Sequence, residues 1–191
     1  SGINPDYGTA ADFKRLIAES HRRGIKVIID IVANHTAWDS VMMKTPTFYT
    51  KNDKGDIIPP VADWADVADL DYNNPELRKY MIEMLKFWVR DFDLDGFRCD
   101  VAGFVPTDFW ETARAEVDKV KADTLWLAEW ESPDLHPKAF NMDYSWAMHS
   151  TLDKVMHGQQ PAYEIRKVWE DQASKFPKGT LKMRFSDNHD E

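Results

Sequence analysis

Apolar positions along the chain switch repeatedly between a helical and a strand period, and each switch falls at a capping or turn residue. Thr9 can cap a helix running to Arg23, with Phe13, Leu16 and Ile17 apolar and Gly24 as its stop. The run Ile25 to Val32 follows at once, short and β-branched, as in a buried parallel strand. Asn74-Pro75 opens the clearest helix, on which Leu77, Met81, Met84, Leu85, Trp88 and Phe92 share one face. After the turn Asp93-Leu94-Asp95-Gly96 the pattern predicts a strand over Phe97 to Ala102, a helix over 107–121 and a strand over Thr124 to Trp130. A weaker strand over Ala139 to Tyr144, helices at about 146–157 and 162–175, and a last strand over Leu181 to Ser186 complete the series.

Strand and helix in alternation imply an α/β fold with a parallel sheet and right-handed crossovers. Residues 36–73 interrupt the alternation with a stretch rich in Asp, Pro, Gly and Trp. A connection of that length reads as a binding loop or a small inserted subdomain. The rest reads as one unit.

Composition narrows the function. The 191 residues carry 24 basic and 33 acidic side chains, a net charge of −9, which argues against a nucleic-acid partner. The apolar runs are far shorter than the ~20 residues of a membrane helix. A single cysteine, Cys99, excludes an internal disulfide framework and a Cys-rich zinc site. Eight Trp, ten Phe and six Tyr make the chain aromatic for so acidic a protein, which suits core packing first and stacking on sugar rings second.

The candidate chemistry lies where four apolar strands end. The first gives Asp30 and then Asn34-His35, the second Arg98 and Asp100, the third Glu129, and the last Asn188-His189-Asp190. The carboxyl edge of parallel strands is where open α/β sheets and closed β/α barrels build active sites. Several like charges gathered there cost stability, which points to chemistry. Arg98 and Asp100, two apart on a strand, should leave the same face, so the guanidinium would keep Asp100 ionised and oriented as a nucleophile. Glu129 sits among Leu127, Ala128 and Trp130; apolar surroundings raise a carboxyl pKa and suit a general acid. A carboxylate held ionised beside one that keeps its proton is the division of labour of glycoside hydrolysis.

These stretches also carry a family resemblance. Asp30-Ile31-Val32-Ala33-Asn34-His35, Gly96-Phe97-Arg98-Cys99-Asp100, Glu129-Trp130 and Phe185-Ser186-Asp187-Asn188-His189-Asp190 resemble, in order, the four signature regions of the α-amylase superfamily, glycoside hydrolase family 13. Val67-Ala68-Asp69-Leu70-Asp71 resembles that family's auxiliary motif. The resemblance implies a (β/α)8 barrel, of which this chain holds about the third to seventh strands, and a retaining α-glycosidase acting on α-glucans. By position it makes Asp100 the nucleophile, Glu129 the acid/base and Asp190 the third carboxylate. Arg98 would orient Asp100, His35 and His189 would bond the same sugar, and Asp30 would support Arg98. Asn34 matches a position that ligates calcium in many members, and a secreted or periplasmic location follows from the same resemblance. Gly103-Phe104 departs from the Lys-His that many α-amylases carry after the nucleophile.

Further expectations attach to single residues. The acidic stretch Asp63, Asp66, Asp69 and Asp71 is a candidate source of metal oxygens, although it lacks the spacing of an EF-hand loop. Trp38, Trp64 and Trp146 are candidate sugar platforms. His136, His149 and His157 read as surface residues, and Cys99 as packed between strand and helix. A metal-dependent barrel hydrolase using His35, His189, Asp30 and Asp190 is the competing enzyme reading, and a non-catalytic assembly fragment is the third. The ends, Ser1 without an initiator Met and Glu191 directly after a polar cluster, read as those of an excised piece. Such a piece would expose the edges at Ile25–Val32 and Leu181–Ser186, form a homodimer or larger assembly, and have little activity.

Overall fold

The computed structural model describes residues 2–190; Ser1 and Glu191, the chain ends noted above, lie outside the described residues. Five strands form one parallel sheet: β1 (Ile28–Ile31), β4 (Gly96–Cys99), β5 (Leu125–Ala128), β6 (Met142–Tyr144) and β7 (Leu181–Met183), neighbours in that order. The helices are α1 (Ala10–Arg22), α2 (Pro75–Phe92), α3 (Thr107–Asp118), α4 (Trp146–Met156) and α5 (Tyr163–Lys175). Strand order never reverses. Right-handed crossovers that always advance in one direction lay their helices on one face of the sheet, the winding of a barrel rather than of a doubly wound sheet.

Local sequence accounts for the element ends. Thr9 and Asp12 form a reciprocal capping box at the start of α1. Asn74 caps α2 by accepting from the N–H groups of Glu76 and Leu77, with Pro75 in the first turn. Leu77, Met81, Leu85, Val89 and Phe92 of α2 are buried, so the helical period placed the face correctly. Gly96 opens β4 at φ 149°, where a Cβ would lie 1.8 Å from the Leu125 carbonyl oxygen, so only glycine admits this strand contact.

The core lies between sheet and helices. Ile31, Phe97, Cys99, Trp126 and Ala128 point from the strands into the same cluster as Leu77, Met81 and Leu85 of α2 and Phe109, Trp110 and Ala113 of α3. Alternation along each strand therefore turns Asp30, Arg98 and Leu127, which are register partners, to the opposite face. Cys99 is buried as expected.

The strands are shorter than the apolar runs predicted. β1 covers 28–31 rather than 25–32, because the ladder with β4 pairs only Ile28 to Ile31; Ile25 and Val32 lie outside it and are exposed. β4 stops at Cys99 rather than Ala102, since Val101 turns to φ 35°. β5 ends at Ala128, β6 begins only at Met142 and β7 ends at Met183, and α3 stops at Asp118 rather than 121. Within 36–73, β2 (His35–Ala37) pairs antiparallel with β3 (Val67–Asp69), and Phe48, Tyr49, Ala68 and Leu70 join the main core.

Candidate active site

The cross-strand register assembles the site. Asp30 on β1 stands beside Arg98 on β4, and Glu129 follows directly after β5. Arg98 Nη1 donates to both oxygens of Asp30, at 2.9 and 3.0 Å, and to Asp100 Oδ1 at 2.9 Å. Its Nη2 donates to Glu129 Oε1, and its Nε reaches the Tyr144 hydroxyl at 3.4 Å. Asp100 sits past the strand end, in a turn, so the guanidinium rather than strand alternation keeps the two side chains together. Glu129 Oε2 accepts the N–H of Val101 at 2.9 Å.

One positive charge thus serves three carboxylates. Burial disfavours the Arg98 charge, but hydrogen bonds to Tyr144 and Asp30 and the charges of Asp30 and Glu129 hold it protonated well above the usual arginine range. For Glu129, burial raises the carboxyl pKa and the Asp100 charge adds to it, which outweighs the Val101 N–H and the Arg98 charge. Apolar sequence neighbours predicted that direction. Arg98, the closest group in space, works against it.

A cavity of about 520 Å³ opens above these groups. His35, Asp100, Glu129, His189 and Asp190 line it, so five of the expected site residues meet in one place. Ligand atoms of Glu129, His189 and Asp190 lie within 4.8 Å of one another. Trp64 and Trp146 form walls of the cavity, whereas Trp38 is outside and donates to the Ala65 carbonyl at 2.9 Å. Arg98 lies beneath the floor; Asp30 supports it from the open side, 56% exposed, and does not line the cavity. Asn34 is also outside the lining, buried, with its carboxamide nitrogen 3.3 Å from His35 Nδ1.

Other lining residues are not assigned to the cavity from sequence, although Asp66 is a candidate source of metal oxygens and Trp130 and Val67 stand in the family-like stretches. Trp130, Val67, Val101 and Asp66 border the cavity. Trp130 packs over Gly103, where a Cβ would lie 2.1 Å from the indole; Gly103 therefore makes room for an aromatic wall, which Phe104 and Trp64 extend. The signal was present in Glu129-Trp130 and in Gly103-Phe104, two stretches 25 residues apart whose contact only the fold creates. His136 departs from expectation. It is buried, its side chain 2% exposed, 3.2 Å from Asp143. His149 is half-buried and stacks on Phe185, while His157 is exposed.

Among the described residues, the group able to hold a metal is Glu129, His189 and Asp190, which leaves out His35 and Asp30 of the metal-hydrolase set. The acidic stretch 63–71 forms no such group among the described residues.

The comparisons with known proteins decide the family. The family model described as alpha amylase, catalytic domain, matches residues 1–58 and 61–190. The chain belongs to the α-amylase family, glycoside hydrolase family 13. An α-amylase crystal structure from Lactobacillus plantarum matches this α-amylase-family chain with a TM-score of 0.92 at 38% identity, covering 100% of this chain and 49% of that one. The five strands are accordingly part of a (β/α)8 barrel. An α-amylase from Geobacillus thermoleovorans, solved with acarbose, matches with a TM-score of 0.81 at 27% identity over 98% of this chain and 46% of that one. The intracellular maltogenic amylase of Bacillus subtilis is 33% identical over 146 residues, 69% of this chain and 25% of its own length. The chain thus spans about a quarter of that curated relative and about half of the solved structures. A relative named intracellular gives no support to the secreted or periplasmic location that the resemblance implied. Among the described residues, no helix is long and apolar enough to cross a membrane.

Proposed function

We propose that this chain supplies the catalytic centre of a retaining α-glycosidase acting on α-glucans such as starch and maltooligosaccharides. The observation that carries the reading is the sharing of Arg98 among Asp30, Asp100 and Glu129 beneath one cavity. Asp30 is solvated and Asp100 is oriented by Arg98, whereas burial raises the carboxyl pKa of Glu129, the direction a general acid needs. Asp100, oriented by Arg98, is then the nucleophile and Glu129 the acid/base.

The reaction takes two displacements. Glu129 gives its proton to the glycosidic oxygen as the C1–O bond breaks, while an Asp100 oxygen bonds to C1 from the opposite side. The leaving sugar departs as an alcohol and Asp100 is held as a glycosyl ester. Glu129, now anionic, takes a proton from water; the water oxygen bonds to C1, and the ester bond breaks to return the Asp100 carboxylate. Two inversions retain configuration, and the two carboxyls stand about 5–5.5 Å apart in the reacting complex. Asp190, His189 and His35 hold the hydroxyls of the same sugar, and Trp64, Trp130 and Trp146 offer ring faces to the oligosaccharide.

Glu129→Gln tests the assignment. Activity on maltooligosaccharides should fall about 10³-fold in a protein carrying the whole barrel. Aryl glycosides whose leaving group needs no protonation should recover part of the first step. Equal losses on both substrate types would remove Glu129 from the role.

Calcium, which the resemblance places at Asn34, fits this chain in part. Asn34 offers one carboxamide oxygen, while calcium takes about six to eight oxygens. The acidic residues of 63–71 do not gather around it among the described residues. The steps above run on protein groups alone.

A second reading concerns the chain on its own. Among the described residues, β1 and β7 each have one strand neighbour, and Leu181 of β7 is 50% exposed. Free apolar strand edges template pairing, and a twofold axis is the commonest way to cover them. The isolated chain then forms a homodimer or larger assembly with little hydrolytic activity. Light scattering from a folded monomer of 22.2 kDa would contradict this.

A further inference from the structure

Glu131 stands two residues beyond Glu129 and does not line the cavity. Its side chain is nonetheless only 17% exposed, and both oxygens are engaged. Oε2 accepts the N–H of Ala147 at 2.8 Å. Oε1 accepts from Gln172 Nε2 at 2.7 Å and from Lys182 Nζ at 3.3 Å. Those partners lie on α4, α5 and β7, so one carboxylate ties three elements to the segment that follows β5.

Ala147 is in the first turn of α4, where backbone N–H groups have no partner inside the helix. Ser145 occupies the N-cap and is of the residue type that normally supplies the capping oxygen. It makes no cap bond here, because its hydroxyl accepts from Gln172 Nε2 at 2.8 Å. Glu131 provides the acceptor from outside the helix, and its negative charge stands at the positive end of the helix dipole. Lys182, itself paired with the fully buried Asp143 at 2.9 Å, fixes the carboxylate from the other side.

The residue that opens α4 is Trp146, a wall of the cavity. Its indole packs on Tyr144 at 5.6 Å and on Phe185 at 4.9 Å, an aromatic group separate from the one built by Trp64, Phe104 and Trp130. Trp146 is therefore held by the start of α4 and by Tyr144 and Phe185, and not by the far wall. We propose that Glu131 is a positioning residue: by capping α4 from the segment that carries Glu129, it sets Trp146 at the cavity wall and so sets how tightly a sugar ring is held there. The sugar-holding half rests on the proposed function; the placement of Trp146 does not.

The test is fluorine NMR on the 191-residue chain labelled with 5-fluorotryptophan, with the Trp146 resonance assigned from Trp146→Phe. Glu131→Ala should shift and broaden that resonance while leaving those of the core residues Trp110 and Trp126 in place. Glu131→Asp, one methylene shorter, should do the same and serves if the alanine variant does not fold. Glu131→Gln, which keeps an oxygen for the Ala147 N–H, should restore most of the wild-type position. A Trp146 resonance unmoved by Glu131→Ala or Glu131→Asp overturns the proposal. The binding arm uses acarbose and a protein carrying the whole barrel. Glu131→Ala and Trp146→Ala should each weaken it about fivefold to tenfold, and the double variant should lose no more than Trp146→Ala alone. Additive losses overturn the link between the two residues. If the wild-type protein carrying the whole barrel does not bind acarbose, that counts against the proposed function, and the fluorine shift alone then decides the placement.

Discussion

The two ends of the sheet hold charge clusters of opposite construction. At the carboxyl end one cation, Arg98, faces three carboxylates. At the amino end one carboxylate, Asp95, faces an imidazole, two ammonium groups and a backbone N–H. His21 Nε2 is 2.7 Å away, Lys121 3.1 Å, Lys26 3.3 Å and the Val27 nitrogen 2.8 Å. Burial alone would raise the Asp95 pKa. The donors from Val27, His21, Lys121 and Lys26 outweigh it and hold the carboxyl well below its usual range. Those donors come from α1, β1's approach and the end of α3, so Asp95 pins three connections together. Its charge is fully answered. At the other end negative charge is left in excess, and burial raises the pKa of Glu129. Similar residue types thus suit stability where partners outnumber the buried charge, and the proposed chemistry where they fall short of it.

The largest separation of the two roles should come from Asp100→Asn. Activity should fall by about 10⁴-fold or more if Asp100 is the nucleophile proposed above. Thermal stability should hold or rise, because the like-charge crowding around Arg98 is relieved. A large drop in melting temperature would show that the upper cluster holds the fold together as the lower one does.

Asp95→Asn should do the converse. Loss of a buried, multiply paired carboxylate costs about 2–4 kcal/mol of stability, read from urea unfolding, with kcat on a competent substrate unchanged. The deficit should also depend on pH. The folded-state pKa of Asp95 lies well below its ordinary 3.8, so its contribution is complete above 3.8, declines below it, and is lost only as pH falls through the lower folded-state value. The gap between wild type and Asp95→Asn should therefore be constant from pH 7 to about 5 and narrow below 3.8. A gap that does not narrow at all as pH falls below 3.8 would mean that Asp95 acts through shape rather than charge.

Both clusters were in the sequence, but unequally legible. The upper one could be read because its members end successive strands and sit inside ordered motifs. Asp95 read only as part of a turn, since His21, Lys26 and Lys121 lie 74, 69 and 26 residues away. Helix α2 was legible because a buried stripe repeats every three to four residues. The strands were overestimated, because an apolar run continues past the last ladder bond, as Val32 does beyond Ile31. His136, Asp143, Lys182 and Glu131 form a buried polar group from four separate segments, and none of them carries a local pattern that announces a partner. Glu129 was assigned a raised pKa for its sequence neighbours, while its nearest charge, Arg98, arrives through strand register.

The division of tasks between Asp100 and Glu129 is the centre of this account, and one measurement addresses it directly. A fluorinated α-glucosyl substrate with a good leaving group should trap the covalent intermediate in a protein carrying the whole barrel. Peptide mapping by mass spectrometry should then find the sugar on Asp100, with none on Glu129, Asp30 or Asp190. A label on any other carboxylate, or unlabelled enzyme that releases products of inverted configuration, would contradict it.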